Sequence, residues 1–184
     1  MPKTKKSLIK TKDEPVLREV AKHVPVDEIK SKEVQSLLTT MAKALHGEDD
    51  GVAIAAPQVG VSSRIFIVNT QALFEVEEGN NNEADKKGVK ANLVFINPEI
   101  KKLSRKKVWM EEGCLSVRWL YGKVERSEKA TVVAYDENGK KFEKGASGLL
   151  AQIFQHEIDH LDGILFIDKA KDLEDLPPHE HTKL

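Results

Sequence analysis

The sequence predicts an α+β fold in which antiparallel β-sheets pack around a central helix in the C-terminal half, with a further helix near the N-terminus. Three observations lead there. Apolar residues recur at helical spacing in two long stretches, one ending near Gly47 and one near Gly163. Short β-branched runs fill most of the chain between them, and turn residues separate those runs at hairpin distances. With 184 residues, against roughly 100 to 200 for a usual domain, residues 1–184 read as one domain with a sizeable core.

Asp27 or Ser31 can cap the first helix, whose apolar stripe is Val34, Leu37, Leu38, Met41, Ala44 and Leu45, ending at Gly47. After an acidic turn, residues 64–68 form a buried strand and residues 93–96 a second one, stopped by Asn97 and Pro98. Residues 75–92 between these strands are polar and low in complexity and read as a surface insertion. KKVWM, GKVER, ATVVAYD and KKFEK read as short strands of an antiparallel sheet, the last two joined by a turn at Glu137, Asn138 and Gly139. Ser147 caps a helix running through LLAQIFQHEIDHLD, and Gly163 supplies its left-handed stop. ILFI reads as a last strand or extended segment, and residues 170–184 as a mobile acidic tail.

Composition narrows the function classes. With 29 basic and 30 acidic residues the formal net charge is −1, so nothing draws the chain as a whole to nucleic acid or to a lipid surface. The cluster Lys101, Lys102, Arg105, Lys106 and Lys107 reads as a solvated strand edge. No run of about 18 apolar residues exists to span a membrane. A single cysteine cannot close a disulfide within the chain, and no apolar segment follows the N-terminal lysines, which reads as a reducing, cytoplasmic setting.

The second helix carries the chemistry. At about 100° per residue, Leu149, Leu150, Ile153, Phe154 and Leu161 fall in one arc, with His156, Glu157 and His160 inside it or at its edge. Gln152, Gln155, Asp159 and Asp162 occupy the other side. Three ionisable groups on a buried face are costly to desolvate unless something compensates them, and a metal ion would compensate all three. His156 and His160 are one turn apart and can share a cation at about 2.0 to 2.1 Å. Glu157 sits beside them as a general base for a water. H-E-x-x-H lacks a third ligand, and the position that supplies a third histidine in one zincin class falls on Phe166. Glu174 and Glu180 are downstream carboxylates, and Cys114 in EEGCLS, beside Gly113 at the end of a strand, is a soft donor suited to zinc or ferrous iron.

With these residues in hand the chain resembles the peptide deformylases, which remove the N-formyl group from nascent polypeptides. GVAIAAPQ at 51–58, EGCLS at 112–116 and QHEIDHLDG at 155–163 carry the likeness in the family's order, and it extends thinly over residues 15–168. The resemblance implies antiparallel sheets around a helix presenting two histidines, with the cysteine arriving from a neighbouring strand. It implies Cys114, His156 and His160 as ligands of one divalent ion, Fe2+ foremost, with Zn2+, Ni2+ or Co2+ substituting. Glu157 then takes a proton from water and returns it to the departing amine, while the Gln58 side-chain amide and the Leu115 backbone N–H face the oxyanion. Gly51, Val52, Gly113, Leu149 and Ile153 are the candidates for contacting the formyl-methionyl peptide, and Glu112, Asp159 and Arg126 for orienting the ligands. Two residues depart from the pattern: Ala53 stands where the family generally has glycine, and Arg118 where proline often follows Ser-Val. The partners implied are formyl-methionyl nascent chains, with transient ribosome association. An endopeptidase using Glu174, and a binding protein keeping the ion as a staple, are the competing readings.

Overall fold

The computed structural model describes residues 8–78 and 92–177. Helix α1 spans Lys32–Leu45, and of its two candidate caps Ser31 is the one used, its side chain accepting from the Val34 N–H at 3.2 Å. Strand β1 (Ala53–Ala55) leads through a 3₁₀ turn at Ala56–Val59 into β2 (Ile65–Asn69). Helix α2 (Thr70–Glu78) follows, so the segment expected to be wholly insertion begins as helix; residues 79–91 lie outside the described residues. Then come β3 (Asn92–Leu103), β4 (Lys107–Gly113), β5 (Leu120–Ser127), β6 (Lys129–Tyr135), β7 (Lys141–Ser147), helix α3 (Gly148–Leu161) and β8 (Lys171–Asp175). The strands form a five-stranded sheet ordered β1-β2-β3-β6-β7 and a three-stranded sheet ordered β4-β5-β8, every pair antiparallel.

Alternation along β2 explains the layering. Phe66 and Val68 face one side, where Phe95, Val132 and Ala134 join Ala151, Phe154, Ile158 and Leu161 of α3. Ile65 and Ile67 face the other, against Leu38, Met41 and Leu45 of α1. A strand buried on both faces therefore sits between two helices, and Phe66 stacks on Phe95 at 4.4 Å between ring centres. A smaller core of Leu17, Val117, Val124, Leu165 and Phe166 lies by the three-stranded sheet.

Four expectations change. Strand β3 does not stop at Asn97 and Pro98: Asn97 takes a left-handed φ of 51°, its side chain pairs with both backbone groups of Val24, and the register shifts between Ile96 and Glu99 before pairing resumes. Of the strand or extended segment expected at ILFI, Leu165 is extended, but Phe166–Asp168 forms a 3₁₀ turn. The start of the presumed tail is β8, which pairs with β5; residues 178–184 lie outside the described residues. Ser147 occupies the cap position of α3 without a side-chain bond. Gly163 does stop the helix, at φ 75°, where an added Cβ would lie 2.7 Å from the Arg18 carbonyl oxygen. Among the described residues no helix is long and apolar enough to cross a membrane.

Candidate metal centre and active site

Helix α3 does not have the polar outer side its sequence suggests. Gln152 and Gln155 are both 7% exposed, since the helix is enclosed by both sheets. Gln155 accepts from Ser127 N and donates to Ser127 O, each at 2.9 Å, and Gln152 donates to the Glu111 carbonyl at 2.8 Å. These amides dock α3 on the backbone of β4 and β5, the strands on either side of the cysteine.

Cys114 follows the last residue of β4, and its sulfur lies 3.1 Å from His160 Nε2. Together with His156 these residues offer three ligand atoms within 4.8 Å of one another, the set that the resemblance implies. His156 Nδ1 is 2.9 Å from Glu112 Oε2, which leaves Nε2 as its free ligand atom. Glu112 is in turn gripped by Arg126 through two bonds of 2.7 and 2.9 Å, and Arg126 reaches Asp159 at 2.6 Å. The predicted orienting residues are thus joined in one chain, with Lys169 on Asp159 at 2.7 Å as an addition.

The electrostatics follow from this crowding. Burial pushes the Glu157 carboxyl up to about 7, against the pull of the neighbouring imidazoles. Burial would also raise the Cys114 thiol, yet the two imidazoles prevail and bring it down to about 5, so thiolate is the natural state at neutral pH. Burial likewise opposes ionisation of Glu112, but bonds from His156 and Arg126 hold it at about 2. Among the described residues, buried Glu157 Oε2 and His160 Nδ1 have no hydrogen-bond partner. A thiolate, two imidazoles and an unpartnered carboxylate oxygen converging in one buried place fit a divalent ion with a reacting water beside it.

The 3₁₀ turn after β1 positions Gln58. Its Oε1 accepts from Ala55 N at 2.8 Å, so the amide nitrogen turns to Ser116 Oγ at 3.2 Å and Cys114 Sγ at 3.5 Å. Pro57 and Gln58 thus stand in a turn before β2. A cavity of about 330 Å³ opens over the centre, and Gln58, Leu115, Val52, Gly113, Leu149, Ile153, His156 and Glu157 line it. Gly51 does not. It is buried outside the lining, where an added Cβ would lie 2.6 Å from the Leu45 carbonyl, so its glycine serves packing after α1. Glu174 lies exposed on β8, paired with Tyr121, and is not part of the ligand cluster; Glu180 lies outside the described residues. Sequence reasoning missed Ser116, Asp50, Glu111, Trp119 and Tyr121 around the site. Only Ser116 carried a signal, its place inside EGCLS; the others depend on strand pairing and loop paths.

The model of the polypeptide deformylase family matches residues 6–175. The chain is 46% identical over 160 residues to the peptide deformylase of Halothermothrix orenii, covering 85% of this chain and 88% of that protein. It is 42% identical over 161 residues to the Fusobacterium nucleatum peptide deformylase, covering 88% and 82%. In three dimensions it resembles the Synechococcus elongatus peptide deformylase crystallised in complex with actinonin, with a TM-score of 0.71, 33% identity and coverage of 89% of this chain and 78% of that one. The chain belongs to the polypeptide deformylase family, metal-dependent hydrolases that remove the N-formyl group from nascent polypeptides.

Proposed function

We propose that Cys114, His156 and His160 hold one divalent ion, that Glu157 is the proton-transfer group, and that Gln58 Nε2 and the Leu115 N–H receive the oxyanion. The convergence of the three ligand atoms, drawn from positions 46 residues apart, carries this reading. When bound, the ion supplies Lewis-acid polarisation and lowers the pKa of a water toward about 7. Glu157 receives that water's proton on its unpartnered Oε2 and delivers it to the amine as the C–N bond breaks. Its raised proton affinity suits both halves of that task near neutrality. Gln58 is preset for its role because the Ala55 N–H already holds its carbonyl oxygen.

Val52, Leu149 and Ile153 offer the apolar surface for the methionine side chain, and Gly113 lets the peptide approach the backbone of β4. Fe2+ is the proposed ion by resemblance to the family, while a thiolate and two imidazoles also suit Zn2+, Ni2+ or Co2+. We place the enzyme in the cytoplasm, meeting nascent chains by transient association with the ribosome, in keeping with its substrate and its unpaired cysteine. The test is formate release from formyl-Met-Ala-Ser by protein loaded anaerobically with Fe2+. Turnover that disappears in Glu157→Ala while one ion per chain is retained is the expected result; no release with Fe2+, Ni2+ or Zn2+ would overturn the assignment.

A further inference from the structure

The cleft over the metal centre has two walls. One is the loop following α1, residues 46–52; the other is the β4–β5 connection, residues 114–119. At the floor Gln58, in the turn after β1, reaches Ser116 and Cys114 of the second wall, and Leu115 packs against the core beneath α1. At the mouth Arg118 joins them. Its Nη2 donates to Glu48 Oε2 at 2.7 Å and its Nη1 to Asp50 Oδ2 at 2.6 Å, and the guanidinium lies 4.9 Å from the centre of the Trp119 ring. Arg118, Asp50 and Trp119 all line the cavity.

Exposure orders these groups by depth. Glu157 is 4% exposed, whereas the side chains of Arg118 and Asp50 are 26% and 54% exposed. With a formyl group at the floor and the methionine among Val52, Leu149 and Ile153, the residues that follow it extend toward the more exposed part of the cavity, where Arg118 and Asp50 stand. A planar guanidinium that engages a different carboxylate with each terminal nitrogen holds their separation in a way that a lysine could not.

We propose that Arg118 is a positioning residue of the substrate cleft: by clamping Glu48 and Asp50 it ties the two walls at the mouth and sets how tightly the residues after formyl-methionine are held. This rests on the deformylase reading, which supplies a peptide extending outward from the floor. The clamp acts on binding, its effect grows with peptide length, and salt weakens it because the pairs are partly exposed.

The experiment compares KM and kcat for formyl-Met-Ala-Ser and for the short N-formylmethionine amide in metal-loaded parent, Arg118→Gln, Glu48→Gln and the double variant, with metal content measured in each. The tripeptide KM is expected to rise about three- to tenfold in Arg118→Gln, the size of one or two exposed pairs, with kcat and metal content held within about twofold. The ratio of the tripeptide KM to the amide KM should shift by the same factor. Adding Glu48→Gln to Arg118→Gln should cost little more, since Arg118→Gln already removes the contact to Glu48, and the exchange Arg118→Glu with Glu48→Arg should restore part of the loss. Raising NaCl to about 0.5 M should move the parent toward the variants. Equal KM changes for both substrates, a change confined to kcat or metal content, or additive effects in the double variant would overturn the clamp. Failure of the parent to release formate from either substrate would instead overturn the deformylase reading.

Discussion

Glu157 shows how one residue's surroundings set its chemistry. An exposed glutamate is a weak base at neutral pH; burial raises this one to about 7 despite the two neighbouring imidazoles and leaves Oε2 without a partner. Glu157→Gln keeps the shape and removes the proton acceptor, so kcat should fall about 100- to 10,000-fold with metal content unchanged, measured by formate release and metal analysis. Gln58→Leu should cost about 100- to 1,000-fold in kcat, because the Nε2 donor is lost while the 3₁₀ turn can still form. The histidine pair and Glu157 were legible as residues because a helix fixes its own periodicity. Gly51 was legible only as a glycine: that an added Cβ there would meet the Leu45 carbonyl depended on the path of the chain after α1.

At the scale of the element, α3 is held by its two glutamines as much as by its apolar face. Helical periodicity placed Gln152 and Gln155 opposite the core, and a helix with one buried side would leave them in solvent. This helix is covered on both sides, so the amides replace water at the backbone of the neighbouring strands. Gln155→Leu would leave the Ser127 N–H and carbonyl buried and unpaired, and should destabilise the fold by about 2 to 4 kcal/mol in urea denaturation. The same limit explains β3: Asn97 and Pro98 look like a stop along the chain, yet Val24 on a distant segment satisfies Asn97 and lets the strand resume.

Across the whole molecule, long-range ties join segments that local sequence cannot relate. Arg18 holds Asp168 across the structure, with one bond of 3.2 Å, and the Arg18 guanidinium and the Leu165 N–H keep that carboxyl below its usual value of 3.8. A depressed carboxyl stabilises the fold above its unfolded pKa, and the contribution is lost as pH falls through the lower folded value. The stability difference between the parent and Asp168→Asn, both metal-free, should therefore be about 0.5 kcal/mol near pH 6 and shrink as pH falls below the ordinary carboxyl value of 3.8, the size being limited by the pair's exposure. An ion held as proposed by Cys114, His156 and His160 would join the β4–β5 connection to α3, so chelation should lower the melting temperature. A free ion at a hundredfold excess over its Kd adds about 2.7 kcal/mol, and Cys114→Ser should blunt the response in calorimetry. What the sequence determined by itself was local and periodic: two amphipathic helices, most of the short strands, two histidines one turn apart, and a cysteine at the end of a strand. Only the tertiary structure decided that Cys114 lies 3.1 Å from His160, that Glu112 orients His156, that residues 171–175 add a strand, and that Arg118 spans Glu48 and Asp50. Periodicity is written in neighbouring residues, whereas these contacts join groups 44 to 70 positions apart or depend on strand pairing, and the packing of whole layers settles them.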